Sequence, residues 1–383
     1  MVDPIVLADS ARVPNWLTKT PGDLQSSIAA ASVTRIQAER WKYLSLAKAW
    51  PSQNTLSPSD LIFVPPPSGT AASTSTHRPN ETALEALDSD VDILSPRLAN
   101  APDAIARLCN ADFINKTYVQ PGGHATVSLL RQAHQAPTII ILGEGSTLEL
   151  NETVSPEVTH LQDDVWLILR KGAKVVHSRS NFGGSNSHLY RFLSVTLEAK
   201  ASYQLHNHSC GCELHRQDIH IDLSGSGAHV DIQGANLVPA ASHLDQHIVM
   251  THAHADSQSN QRVHTIAGAG SKVTFNGRIL IKKGCPGVEA HLNNRNLSLS
   301  DVATINTKPE LEIYTDDVAC SHGATIGKLD ESHLFYFASR GVDELTAKRL
   351  LAQGFLATCV SGPMAQQAQV VLSDLAAAEN QPS

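Results

Sequence analysis

From about residue 122 onward the chain is a succession of short β-branched runs: "TIIIL", "VWLILR", "KVVHS", "YRFLSVTLEA", "DIHIDLSG", "HVDIQGANLV" and "KVTFNGRILI". Each has the length of a strand and is punctuated by Gly, Asn or Asp. No helical stretch of a dozen residues separates them, which argues against a sheet built from βαβ crossovers. A glycine followed within a few residues by a strand-entering valine recurs at Gly123, Gly172, Gly227 and Gly270, leading to Val127, Val175, Val230 and Val273. The intervals are irregular, tens of residues each. Irregular rungs with turn glycines fit a parallel β-helix, in which each coil buries its face only against its neighbours. A β-sandwich is the competing architecture.

Helical signals flank this body. Asp23 is placed to cap a helix carrying Leu24, Ile28 and Ala31 on one face, and "QAERWKYLSLAKAW" continues the pattern to Pro51. Residues 65–80, rich in Pro, Ser, Thr and Gly, read as a loop or linker. "APDAIARLCNADF" predicts a further helix, with Asn100 as cap and Pro102 in its first turn. After Gly323, Asp330 caps "ESHLFYFASR" and Gly341 stops it; "VDELTAKRLLAQ" follows and closes at Gly354; an Ala-rich helix occupies much of 363–379. The expected division is a helical region with a linker over 1–118, a β body over 119–322 and a helical domain over 323–383.

At 383 residues with a net charge of −8, and with no run of four Lys or Arg, the chain lacks the basic face of a nucleic-acid binder. Its N-terminus shows no basic segment followed by a long apolar one, and no apolar run approaches membrane-spanning length, so a cytoplasmic location is expected. The six cysteines are then expected as thiols or ligands rather than disulfides.

Nineteen histidines concentrate in the β region, where His252 and His254 share a strand face. Without a third donor at a recognised spacing, the bland reading, satisfaction by Asn and Ser neighbours, is preferred. Cys210-Gly-Cys212 has no second pair at zinc-ribbon spacing and reads as packed thiols. Gly323-Ala-Thr-Ile-Gly-Lys328 is one residue short of a phosphate loop, and Leu329 stands where a magnesium-binding hydroxyl would be, so no ATP site is expected. Cys320 and His322 are the sharper pair. Two apart on a strand, they project from one face, about 6 to 7 Å apart at Cα. A thiolate with an imidazole suits an iron–sulfur cluster, copper(I) or zinc; it also suits a Cys–His nucleophile. As ligands they are an incomplete set, and packed core residues remain the third reading.

Residues 293–342, "NNRNLSLSDVATINTKPELEIYTDDVACSHGATIGKLDESHLFYFASRGV", resemble the signature of the SufB/SufD family of iron–sulfur assembly proteins. "FNGRILI", "HLDQHIVMTHAHADSQS" and, near residue 40, "ERWKYLSL" resemble it as well, and the "CSHGAT" form is more like SufD than SufB. The resemblance implies a right-handed parallel β-helix flanked by N-terminal and C-terminal helical domains. It implies a non-catalytic scaffold subunit that pairs with SufB through the β-helix and docks the ATPase SufC. His322 matches a family histidine proposed as ligand to a nascent cluster shared with SufB; Cys320 is the weaker candidate beside it. Arg340, Gly341, Leu345, Leu350, Leu351 and Phe355 fall in the segment that meets SufC. A reduced flavin accompanies the family's complex, and the alternative within the family is a SufB-like homodimer that binds its own cluster when SufB is absent. The rival class is a carbohydrate-active β-helix enzyme, for which the adjacent aspartate pairs are Asp163-Asp164 and Asp316-Asp317.

Overall fold

The structure, a computed structural model, describes residues 72–77, 114–132 and 137–361. The β body is a parallel solenoid in which successive strands alternate between two sheets. One sheet holds β1 (Ala72–His77), β2 (Ile114–Val119), β4 (Thr138–Leu142), β6 (His160–Leu169), β8 (His188–Leu197), β10 (Leu214–Leu223), β12 (His243–His252), β14 (Lys272–Ile281) and β16 (Thr304–Ile313). The other holds β3 (His124–Arg131), β5 (Thr147–Val154), β7 (Lys174–Phe182), β9 (Ser202–Cys210), β11 (His229–Val238), β13 (Gln258–Ala267), β15 (Val288–Ser298) and β17 (Val318–Lys328). Helices α1 (Glu331–Ser339) and α2 (Glu344–Ala357) follow. Among the described residues no helix is long and apolar enough to cross a membrane.

Parallel pairing in register places like positions of successive coils on top of one another. Leu167, Val195, Ile221, Met250 and Ile279 form one buried column, and Leu148, Val175, Tyr203 and Val230 face it from the other sheet. Each fully buried aliphatic side chain contributes about 1.5 to 3 kcal/mol of transfer free energy. The remainder of the lumen is polar. Asp163, Arg191, Gln217 and Gln246 stack on one sheet opposite Glu152, Arg179 and Asn207 on the other. Side-chain amides link the coils: Asn181 donates to Asn207 (3.0 Å), Asn207 to Gln217 (2.8 Å) and Gln246 to Gln217 (3.1 Å).

One corner of the coil is held by a ladder. Gly122, Gly145, Gly172, Lys200, Gly227, Asp256 and Gly287 all have positive φ. Each donates its N–H to the carbonyl of the residue just before the equivalent position one coil on, for example Gly172 to Ala199 and Lys200 to Ser226, both 2.9 Å. Of the four turn glycines in the sequence, Gly172 and Gly227 belong to this column, whose period is hidden wherever Lys200 or Asp256 takes the position; Gly123 and Gly270 lie outside it.

Several expectations change. Residues 72–77, inside the expected linker, form β1, which pairs antiparallel with β2 and supplies hydrogen bonds to its free edge. The β body begins at Ile114, not 119, and β17 runs through the 322/323 division to Lys328 because its pairing with β15 continues to Ser298↔Lys328. Asp330 does cap α1, accepting from the Ser332 amide at 2.8 Å, and Gly341 follows its C-cap with φ 78°. Gly354 does not end α2, which continues to Ala357 so that Leu356 can reach the sheet. The expected helices before residue 72 and around 100, and the Ala-rich one at 363–379, lie outside the described residues.

α2 packs on the outer face of the eight-stranded sheet, with Ala352, Leu356 and Cys359 against Ala235, Leu237, Ile266 and Leu297. Three histidines lie beneath this segment. His264 Nδ1 donates to the Phe355 carbonyl (2.8 Å) and its ring stacks on that phenyl at 4.9 Å. His206 Nδ1 meets the Ser361 hydroxyl at 2.9 Å, and His208 is fully buried. Burial holds all three below the usual imidazole range, His208 down to about 4; Asp231 opposes the shift at His206, while Arg262 and Arg295 reinforce it at His264.

Two outcomes are expected. Gly172→Ala, whose new Cβ would meet nothing closer than 3.9 Å, costs about 1 kcal/mol through backbone strain alone, whereas Lys200→Gly is neutral or stabilising. Denaturation midpoints of the two variants check this, and equal midpoints would refute the strained ladder. Because the three histidines are neutral when α2 is docked and have ordinary values when it is released, docking is full above about pH 6.5 and weakens as pH falls toward about 4. Amide exchange in α2 at pH 7.5 and pH 5 tests this: protection should drop at the lower pH, and less so in His208→Leu.

Candidate functional site

Cys320 and His322 lie on β17, the last strand of the eight-stranded sheet, which pairs with β15. Strand alternation decides which way they point. Val318, Cys320 and His322 stand in register on Val288, Ala290 and Leu292, all of which are buried in the lumen. The intervening Ser321 belongs to the outer face, where its hydroxyl meets His291 Nδ1 at 2.8 Å. The thiol and the imidazole therefore sit together over the end of the apolar lumen.

Their environments differ. Cys320 is half-buried and packs against the core beside Val318 and Leu311. Burial pushes its thiol up from the ordinary value, and the Ala290 amide opposes the shift only in part, so the sulfur rests protonated at neutral pH. His322 is exposed. Among the described residues no group of three or more His, Cys, Asp or Glu is placed to hold a metal ion. The pair can donate one soft sulfur and one nitrogen, and a bound ion or cluster would need the rest of its ligands from outside this set.

The coil that carries the pair is the last of the solenoid. β16 pairs with β14, and β17 with β15, so each strand presents one edge without a ladder partner among the described strands. No residue of β16 or β17 is fully buried, and Ile326 is 55% exposed. The signal that could have marked this open coil is Pro309 with Lys308, Glu310 and Glu312 in β16, a proline and charges of the kind that edge strands carry.

The other candidates are dispersed. His252 is buried and satisfied within the chain: its Nδ1 donates to Ser257 (2.8 Å) and its Nε2 accepts from Ser259 (2.9 Å). His254 lies past the end of β12. Cys210 and Cys212 are buried free thiols in apolar clusters. Gly323–Lys328 is extended strand within β17. Asp163 is buried in an ion pair with Arg191 (2.7 Å), out of reach of any polysaccharide.

Arg340 and Gly341 form the exposed end of α1, with the guanidinium 5.4 Å from the centre of the Tyr336 ring. Leu345 and Leu350 on α2 are exposed, Leu351 is half-buried, and Phe355 anchors the helix on His264. The sequence reading passed over the apolar pair beside them, Phe335 and Tyr336, which are 77% and 56% exposed. α1 buries none of its residues.

The chain is similar to several known proteins, two of them named for iron–sulfur cluster assembly. It is 31% identical over 191 residues to Protein ABCI7, chloroplastic, of Arabidopsis thaliana, 29% over 189 to a SufBD family protein of Synechocystis, and 29% over 185 to SufD of Escherichia coli. These stretches cover 49%, 49% and 48% of this chain, and 40%, 42% and 44% of the relatives' own length. The family model for the SUF system FeS cluster assembly SufBD core domain matches residues 125–355, from β3 into α2. The solenoid with its Cys–His pair on the end coil is therefore the core of a SufBD protein, and this chain belongs to that family.

Proposed function

We propose that this chain is a non-catalytic scaffold subunit that supplies half of a ligand set for a nascent iron–sulfur cluster. Cys320 and His322 offer one sulfur and one nitrogen, and a SufB-type partner brings the remaining donors. The observation that carries this is the position of the pair: two soft donors at the lumen mouth of a coil whose strand edges are open. A second solenoid placed against β16 and β17 would satisfy those edges and close the ligand shell at once. The raised thiol value fits the same role, since Cys320 would lose its proton only when a cation arrives to stabilise the thiolate.

The helical segment is the docking surface for a SufC-type ATPase in this reading. Phe335, Tyr336, Arg340, Leu345 and Leu350 form its exposed part and Leu351 is half-buried, while Ala352, Phe355 and Leu356 hold the segment to the solenoid. ATP hydrolysis then belongs to the partner, in the cytoplasm.

Co-expression with both partners and anaerobic purification test the proposal. His322 is exposed, so His322→Ala should leave the complex intact while iron and acid-labile sulfide fall roughly tenfold. Cys320→Ser should give a smaller loss, and Tyr336→Ala should reduce the ATPase that co-purifies. Unchanged iron and sulfide on an intact His322→Ala complex would remove that histidine from the ligand set.

A further inference from the structure

We propose that the solenoid lumen holds a small monovalent inorganic anion between Arg131 and Arg179. Five charged side chains meet there, contributed by β3, β5, β6, β7 and β8. Glu152 Oε2 is shared by three guanidinium groups: Arg179 Nε at 3.6 Å, Arg131 Nε at 3.7 Å, and Arg191, which also holds Asp163 and Asn181. Arg131 approaches Asp163 at 3.3 Å. All five side chains are buried.

The charges do not balance. Among the described residues three arginines face two carboxylates. Burial alone would raise both carboxyl groups, but Arg191 and its neighbours outweigh it and keep Glu152 and Asp163 ionised. The two other titratable groups in contact supply nothing. His177 donates to Glu152 (3.0 Å) and accepts from the Tyr203 hydroxyl (2.8 Å), an arrangement that holds a neutral imidazole and a protonated phenol. One positive charge is left over.

The same side chains carry the unmet hydrogen bonds. Arg179 Nε, Nη1 and Nη2 and Arg131 Nε and Nη2 have no hydrogen-bond partner among the described residues. A guanidinium does not shed its proton to escape this, since its intrinsic basicity is too high. Water would satisfy the N–H groups but not the charge, and an uncompensated buried charge is the costlier of the two defects. A monovalent anion meets both needs; a divalent one would overcompensate. The site is separate from the Cys320–His322 pair: β7 and β17 are five strand spacings apart, about 24 Å.

Halides are the probe. Full-length protein is refolded or exhaustively dialysed into sodium gluconate, then titrated with sodium chloride or bromide at fixed ionic strength. The melting temperature should rise by about 3 °C and saturate. In Arg179→Met, which removes the excess charge, that rise should vanish, and the variant in gluconate should melt no lower than the parent. A parent melting temperature indifferent to halide, or a halide effect that survives in Arg179→Met, would overturn the site. If Arg179→Met does not fold, crystals of the parent grown in bromide decide: an anomalous peak beside the Arg179 guanidinium supports the proposal, and density without anomalous signal there refutes it.

Discussion

Coil-to-coil hydrogen bonding in strict parallel register is the constraint on which the rest depends. Once each N–H and C=O of a strand is committed to the strands above and below, like positions must stack, and a side chain's surroundings are fixed by the column it occupies. The ladder of left-handed corner residues enforces the same register at the bend, because each donates to the next coil. Two consequences follow from the columns. Apolar residues make a continuous core without helices to cover it, and the polar column can persist only where amides, hydroxyls and ions answer one another from coil to coil.

Strands and helix caps were legible in the sequence because they depend on neighbours within a few residues, whereas parallel pairing joins residues such as Leu167 and Val195, 28 positions apart, and the irregular glycine–valine repeat left a β-sandwich open beside it. Asp330 and Gly341 mark α1 by local hydrogen bonding and backbone geometry, and the structure puts both to that use. Gly354 misled because docking of Leu356 and Cys359 onto the sheet outweighs a glycine's weak preference to end a helix. Residues 72–77 misled because the gain in forming β1 comes from the free edge of β2, some forty positions away. The ion cluster was invisible for the same reason, since Glu152 and Arg191 are 39 residues apart.

For the candidate site the sequence located the donors and left their meaning open. Cys320 and His322 stood out by residue type and spacing, and three readings stayed open: packed core, metal or cluster ligands, and a nucleophile. Register with Ala290 and Leu292 narrows the choice, because it turns both side chains toward the lumen at a coil with free edges. A nucleophile would require an orienting group beside the imidazole, and among the described residues the lumen mouth supplies mainly apolar neighbours such as Val318 and Leu311.

The two ends of the solenoid are not alike. At one end β1 runs antiparallel to β2 and interrupts the parallel template; at the other β16 and β17 continue it. A chain with two propagating ends could stack head to tail without limit and grow into a fibre. The break lies in the nine-stranded sheet alone: among the described strands β3 of the other sheet still presents a parallel edge at that end, so only half of the template is withheld there. The reversed direction of a single six-residue strand thus withholds from that sheet the parallel edge that head-to-tail stacking would copy.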